Sequence, residues 1–221
     1  MKNRFPTPDF TQRALLASVC GIMLFAPLIA WIDLPVAVYF HGVEGAWWVE
    51  MFGFVTEAGD SKWTLVPSLV VGAVFWWRRR EIARPALAVF AAVAGSGLMV
   101  NAFKIMLCRY RPAAYFDRGF YGFDPFAFAV EYSRNSFPSG HATTAAGAAV
   151  ALGLIFPRFR FVFWAAGALV AFSRVPITAH YLSDVLAGGL VGVWWGVWMH
   201  RLLCGKHGET DRVKPEYTQP A

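Results

Sequence analysis

"FVFWAAGALVAFSRVPITAHYLSDVLAGGLVGVWWGVWMH", residues 161–200, holds two apolar runs separated by a short polar step. Each run approaches the roughly 20 residues an α-helix needs to cross a hydrocarbon core. A helix also satisfies its own backbone hydrogen bonds, which lipid cannot do for it. Between the runs, "SRVPITAHYLSD" (173–184) gathers a cation, an imidazole and a carboxylate. Ionisable groups at a membrane boundary are costly and usually functional. The stretch therefore raises two expectations together: membrane helices, and a site at one end of them.

The rest of the chain follows the first expectation. Of its 221 residues, 57% are hydrophobic and only 15% are charged. Soluble domains run nearer about 45–50% and about 25%. Apolar runs predict six transmembrane spans, at 14–32, 61–77, 85–107, 140–156, 160–177 and 182–203. The fold class expected is all-α: a polytopic membrane protein with six transmembrane helices in a bundle. The run at 14–32 exceeds the about 7–15 residues of a signal-peptide core, so it reads as an uncleaved first helix. Residues 35–54, interrupted by Gly, His and Glu, read as an interfacial helix rather than a span. The expected domains are a transmembrane unit over 1–205 and a polar, disordered tail over 206–221. Gly188, Gly192 and Gly196 recur every four residues in the last span and predict close helix packing, within the chain or in a homodimer, the first being favoured. Cys20, Cys108 and Cys204 have neither metal-ligand spacing nor the pattern of a disulfide framework.

Basic residues set the orientation. The net charge is +6, but its cations lie in short clusters between apolar runs, which suits membrane topology better than nucleic acid. Lys2, Arg4 and Arg13, then Arg78–Arg80 and Arg84, then Arg158 and Arg160, then Arg201, Lys206, Arg212 and Lys214 all fall on one side of a six-span layout. By the positive-inside rule that side is cytoplasmic, with both termini on it. The opposite face still carries Lys62, Lys104, Arg109, Arg111, Arg118, Arg134 and Arg174. A bound anion is the simplest reason for cations on the outer face.

Three stretches meet at that face: "KIMLCRYRP" (104–112), "FPSGH" (137–141) and "SRVPITAHYLSD" (173–184). Lys104 and Arg111 are seven apart and share a helix face if the helix persists, although Pro112 disfavours helix at Arg111. Alternatively these cations only anchor a helix end at headgroups. Ser139 is a good N-cap, Gly140 admits an anion close to the backbone, and the free N–H groups of a helix start suit phosphate. His141 then lies in the first turn, beside that anion. His180 and Asp184 are spaced i, i+4, so a carboxylate can hold one imidazole nitrogen and leave the other free to attack. Arg174 adds a fork of donors for phosphate oxygens. Two His, one Asp, one Lys and several Arg are what metal-free phosphoryl transfer requires. No carboxylate cluster suits Mg²⁺, and no cofactor is expected. The residues alone do not choose which His attacks; the Asp at i+4 favours His180.

These stretches resemble the three-part signature of the type-2 phosphatidic acid phosphatase superfamily, which also includes vanadium haloperoxidases and glucose-6-phosphatase. Lys104, Arg111 and Pro112 match its first part. Pro138, Ser139, Gly140 and His141 match the second, and Ser173, Arg174, His180 and Asp184 the third. The resemblance implies that His180 is the nucleophile, oriented by Asp184, and that His141 protonates the leaving group and then activates water. It implies phosphate binding by Lys104, Arg111, Ser139, Gly140 and Arg174. The expected function is hydrolysis of a phosphorylated membrane lipid in a bacterial inner membrane, at the extracytoplasmic end of the bundle. Undecaprenyl pyrophosphate, phosphatidylglycerol phosphate, phosphatidic acid and lipid A are the substrates to consider. A lipid phosphotransferase using a prenyl pyrophosphate donor, and a non-catalytic anion-binding or transport protein, are the competing readings. "GDSKW" (59–63) offers Asp60 as a helix cap and Lys62 as a second-best headgroup contact. The aromatic loop 113–136 is expected over the site at the lipid surface.

Overall fold

The computed structural model describes residues 25–205. Among the described residues there is no strand, only an isolated antiparallel bridge between Arg109 and Phe123. Eight helices carry the architecture of the described residues: α1 (Phe25–Gly42), α2 (Trp47–Ala58), α3 (Lys62–Phe75), α4 (Arg80–Leu107), α5 (Pro112–Arg118), α6 (Gly140–Ile155), α7 (Arg160–Ser173) and α8 (Leu182–Cys204). By length and composition α1, α4 and α8 can each cross a membrane. The 28 residues of α4 span about 42 Å and the 23 of α8 about 34 Å, against a hydrocarbon core of about 30 Å. α3, α6 and α7 are shorter, at 14, 16 and 14 residues.

α6 is the hub and packs against α4, α7 and α8, while α4 also packs on α3 and α8. The sequence of α6 explains its place. Apart from His141, no side chain from Gly140 to Ala149 is larger than Thr. Small residues let helix backbones approach closely, the packing mode favoured where lipid removes the hydrophobic drive. The glycine stripe of α8 lies on that surface. A Cβ at Gly188 would strike Ser139 O, one at Gly192 would strike Thr143 O, and one at Gly196 would fall 2.8 Å from Gly147 O. The stripe is therefore used inside the chain. Deeper in the bundle, Val89, Ala92, Ala151 and Met199 form one buried cluster, and Trp195 donates to Ala91 O across 2.9 Å. The outer surface is apolar: Phe54, Val74, Leu98, Phe161 and Trp194 are all more than half exposed. Scattered over every side of a bundle, such side chains suit lipid, not water.

Helices lie close to the runs expected at 61–77, 85–107, 140–156, 160–177 and 182–203. Two expectations need correction. The run at 14–32 lies mostly outside the described residues, and its described part does not stop at Ile32. The helix passes through a π-helical turn at Leu28–Ile32 and continues over Asp33–Gly42. Asp33 lies inside this helix, and its buried carboxylate is paired with Arg109 at 2.7 Å. The single interfacial helix expected over 35–54 is instead the end of α1, a turn with Gly45 at φ +87°, and the start of α2. The tail expected over 206–221, Cys20, the basic cluster Lys2, Arg4 and Arg13, and Lys206, Arg212 and Lys214 of the last cluster lie outside the described residues.

Candidate active site

One end of the bundle collects the polar groups, and local sequence explains how. α4 stops where Cys108 turns left-handed, at φ 44°. The chain then runs extended to Arg111, and Pro112 starts α5 at a position where a missing N–H costs nothing. Lys104 and Arg111 therefore do not share a helix face; a reversal of the chain brings them together. The loop after α5 returns along the end of α4, with Asp124 N donating to Cys108 O at 3.1 Å and Phe126 N to Met106 O at 2.8 Å. It then delivers Ser136, Ser139 and α6.

Ser139 caps α6 by accepting from Ala142 N at 3.5 Å, and its own N–H donates to Asp184 O at 2.9 Å. The starts of α6 and α8 are thus tied together. Asp184 is the third residue of α8, and its Oδ2 accepts from Tyr181 N at 2.9 Å. His180 lies just before the helix, so the pair does not share a helix face as the i, i+4 spacing suggested. They meet because Asp184 reaches back over the helix start. Asp184 Oδ2 is 3.5 Å from His180 Nδ1, and Ser136 Oγ donates to the same oxygen. The second ring nitrogen, Nε2, lies 3.4 Å from an Arg111 nitrogen and faces a cavity.

That cavity has a volume of about 450 Å³, and Lys104, Arg111, Gly140, His141, Arg174 and His180 all line it. Six of the eight residues singled out from sequence thus converge. Ser139 and Asp184 are fully buried behind the wall. Arg111 is held by three carbonyls, donating to Tyr132 O at 3.0 Å, Ala179 O at 2.9 Å and Asn135 O at 3.1 Å. The Tyr132 ring sits 3.9 Å from its guanidinium. None of these partners removes its charge. Arg174 donates from one terminal nitrogen to Thr56 Oγ1 at 2.8 Å, while its buried Nε has no hydrogen-bond partner. The Lys104 ammonium lies 3.5 Å from where a Gly140 Cβ would be, so the missing side chain leaves the space beside it open. Burial pushes the His180 imidazole down to about 3; the bond to Asp184 opposes this and the Arg111 charge adds to it. His180 is therefore neutral at pH 7, the form in which a ring nitrogen can attack.

The sequence profile of a family described as the PAP2 superfamily matches residues 85–206. The chain belongs to the PAP2 superfamily. A relative, the lipid A 1-phosphatase of Rhizobium etli, is 33% identical over 160 residues, which make up 67% of this chain and 68% of that protein. Two solved structures share the fold. The crystal structure of LpxE from Aquifex aeolicus superposes with a TM-score of 0.57 at 19% identity, covering 77% of this chain and 95% of that one. A PAP2-type phosphatidylglycerolphosphate phosphatase from Bacillus subtilis superposes at 0.58 and 20% identity, covering 85% and 94%. This PAP2 chain is accordingly a membrane lipid phosphatase, a hydrolase, and the reading as a mere anion-binding protein is set aside.

Several residues of the site escaped the sequence reading. Ser136 stood beside the quoted motif without being given a role. Tyr132 and Asn135 belong to the loop 113–136, expected over the site without a role for either residue. Thr56 and Asp33 come from helices outside the family match. Arg109 was counted only as a surplus cation. An acid inside an apolar run was the one available signal for Asp33. Lys62 does not reach the cavity: it pairs with Glu57 at 2.9 Å and Asp60 at 3.4 Å. Ser61, not Asp60, is the N-cap of α3, and Asp60 accepts from Lys62 N at 2.9 Å from one residue further out.

Proposed function

We propose that this chain removes the 1-phosphate of a lipid A-type glycolipid through a phosphohistidine on His180. One observation carries the mechanism: His180 turns Nδ1 to Asp184 and Nε2 to a cavity that Lys104, Arg111, Arg174 and His141 also line. The substrate class follows the Rhizobium etli relative. Lys104, Arg111, Arg174 and the backbone N–H groups at Gly140, where Ser139 caps α6, bind the phosphate oxygens. Nε2 attacks phosphorus, a P–N bond forms, and the P–O bond to the lipid breaks. His141 gives its proton to the departing oxygen. It then takes a proton from water, whose oxygen displaces His180 and releases inorganic phosphate. Asp184 stabilises the positive charge that develops on the ring.

In this reading the bundle crosses the membrane six times, with the site on the extracytoplasmic side and residues 206–221 as a cytoplasmic tail. Phe126, Phe128, Val130 and Tyr132 are all more than half exposed, and the last two line the cavity. That row gives the lipid chains an apolar path from the bilayer to the phosphate. The test is phosphate release in detergent, with EDTA, from lipid A, phosphatidylglycerol phosphate, phosphatidic acid and undecaprenyl pyrophosphate. Lipid A is expected to be turned over fastest, with EDTA without effect and His180→Ala lowering kcat by about 10⁴-fold or more. Preference for another lipid would overturn the substrate reading; release that survives His180→Ala would overturn the mechanism.

A further inference from the structure

Arg109 is fully buried, although it lines no part of the cavity. It bridges two carboxylates that are also fully buried, Asp33 from α1 at 2.7 Å and Asp184 from α8 at 2.5 Å. Ser183 completes the join: its N–H donates to Asp33 Oδ1 at 2.9 Å, its hydroxyl donates to Asp33 Oδ2, and Arg109 reaches that hydroxyl at 2.6 Å. The rings of Phe123 and Tyr181 lie 5.0 and 4.5 Å from the guanidinium. Two carboxylates against one guanidinium leave one surplus negative charge in a fully buried cluster. Burying charge is expensive, and an apolar packing of equal volume would usually be at least as stable. The cluster therefore asks for a reason other than stability.

We infer that Asp33 and Arg109 are positioning residues for catalysis, acting through Asp184. This rests on the reading that Asp184 orients His180. Arg109 fixes Asp184 by Oδ1, which leaves Oδ2 to face His180 Nδ1. Asp33 keeps Arg109 from cancelling the Asp184 charge. The surplus charge then acts 3.5 Å from the ring nitrogen on which positive charge develops as Nε2 attacks. α1, which contributes no residue to the cavity wall, thereby helps to set the rate.

The test is a double-mutant cycle on the full chain in detergent, with the lipid that wild type turns over fastest. The variants are Asp33→Asn, Asp184→Asn and the pair together. Asp33→Asn is expected to lower kcat about tenfold, short of the 10²-fold that a displaced reacting group can cost, and to leave KM within about twofold. In the Asp184→Asn background the same change is expected to have almost no further effect. Effects that multiply in the double variant, or wild-type kcat in Asp33→Asn, would overturn the inference. Wild-type kcat in Asp184→Asn would instead overturn the reading of the site itself. If Asp33→Asn fails to fold, Ser183→Ala, which removes the hydroxyl between Asp33 and Arg109, runs the same cycle and is judged the same way.

Discussion

Arg109 and Arg111 are separated by one residue, yet they have opposite surroundings. Arg109 is matched with the carboxylates of Asp33 and Asp184 and sealed under aromatic rings. Arg111 is held by carbonyl oxygens and lines the cavity. Carbonyls fix a guanidinium in place without neutralising it, so its charge stays available to an anion. Carboxylates spend that charge on structure. The same residue type thus builds the frame in one place and the phosphate site in the other, and what tells them apart is the partner set.

Mutation should separate the two. Arg109→Ala leaves Asp33 and Asp184 buried without their cation and is expected to destabilise the protein by about 3–5 kcal/mol. A large fall in apparent Tm in detergent checks this; an unchanged Tm would erase the contrast. Arg111→Ala removes one donor from the phosphate and is expected to cost about 10²–10³ in kcat/KM, with little change in Tm. If Arg111→Ala unfolds the chain instead, both arginines are structural. A smaller effect sharpens the comparison from the frame side. Gly192→Ala forces a Cβ onto Thr143 O and should destabilise by about 1–3 kcal/mol, with substrate affinity unchanged in the protein that stays folded.

A pH dependence adds a last contrast. The His180 imidazole sits at about 3 in the folded protein against an ordinary 6.5. Below 6.5 the unfolded chain takes up a proton that the folded site refuses. The contribution is complete above that pH and is lost progressively as pH falls toward about 3. His180→Asn should flatten this acid decline in Tm, and a decline identical to wild type would place the titrating group elsewhere.

Much of the fold was legible because lipid imposes a simple rule. Apolar runs long enough to cross, broken by polar steps, placed α3, α4, α6, α7 and α8 close to where they lie. The glycine stripe announced a close helix packing as well, though not that α6 is its partner. α1 runs past the end expected at Ile32, and the countercharge that lets it bury Asp33 comes from Arg109, 76 residues away, a pairing that chain order does not display. At the site, the motif residues could be found because each carries chemistry and all three stretches fall at one end of the bundle. Their relative geometry could not. Spacing put His180 with Asp184 on a shared helix face, and Lys104 with Arg111 on one only if the helix persisted to Pro112; a helix cap makes the first pairing, and a left-handed turn at Cys108 ends the helix before the second. Ser136, Arg109 and Asp33 stayed hidden because a buried polar network is a property of the packed structure and leaves no periodic trace in the chain.

The central claim is that His180 carries the phosphoryl group. The most direct measurement mixes the enzyme with a ³²P-labelled lipid substrate, quenches the reaction in base within the first turnover, and maps the labelled peptide. A base-stable, acid-labile label on the peptide containing His180, absent from His180→Asn, is the predicted result. Label on the peptide containing His141, or turnover with no phosphoenzyme at any time, would contradict it.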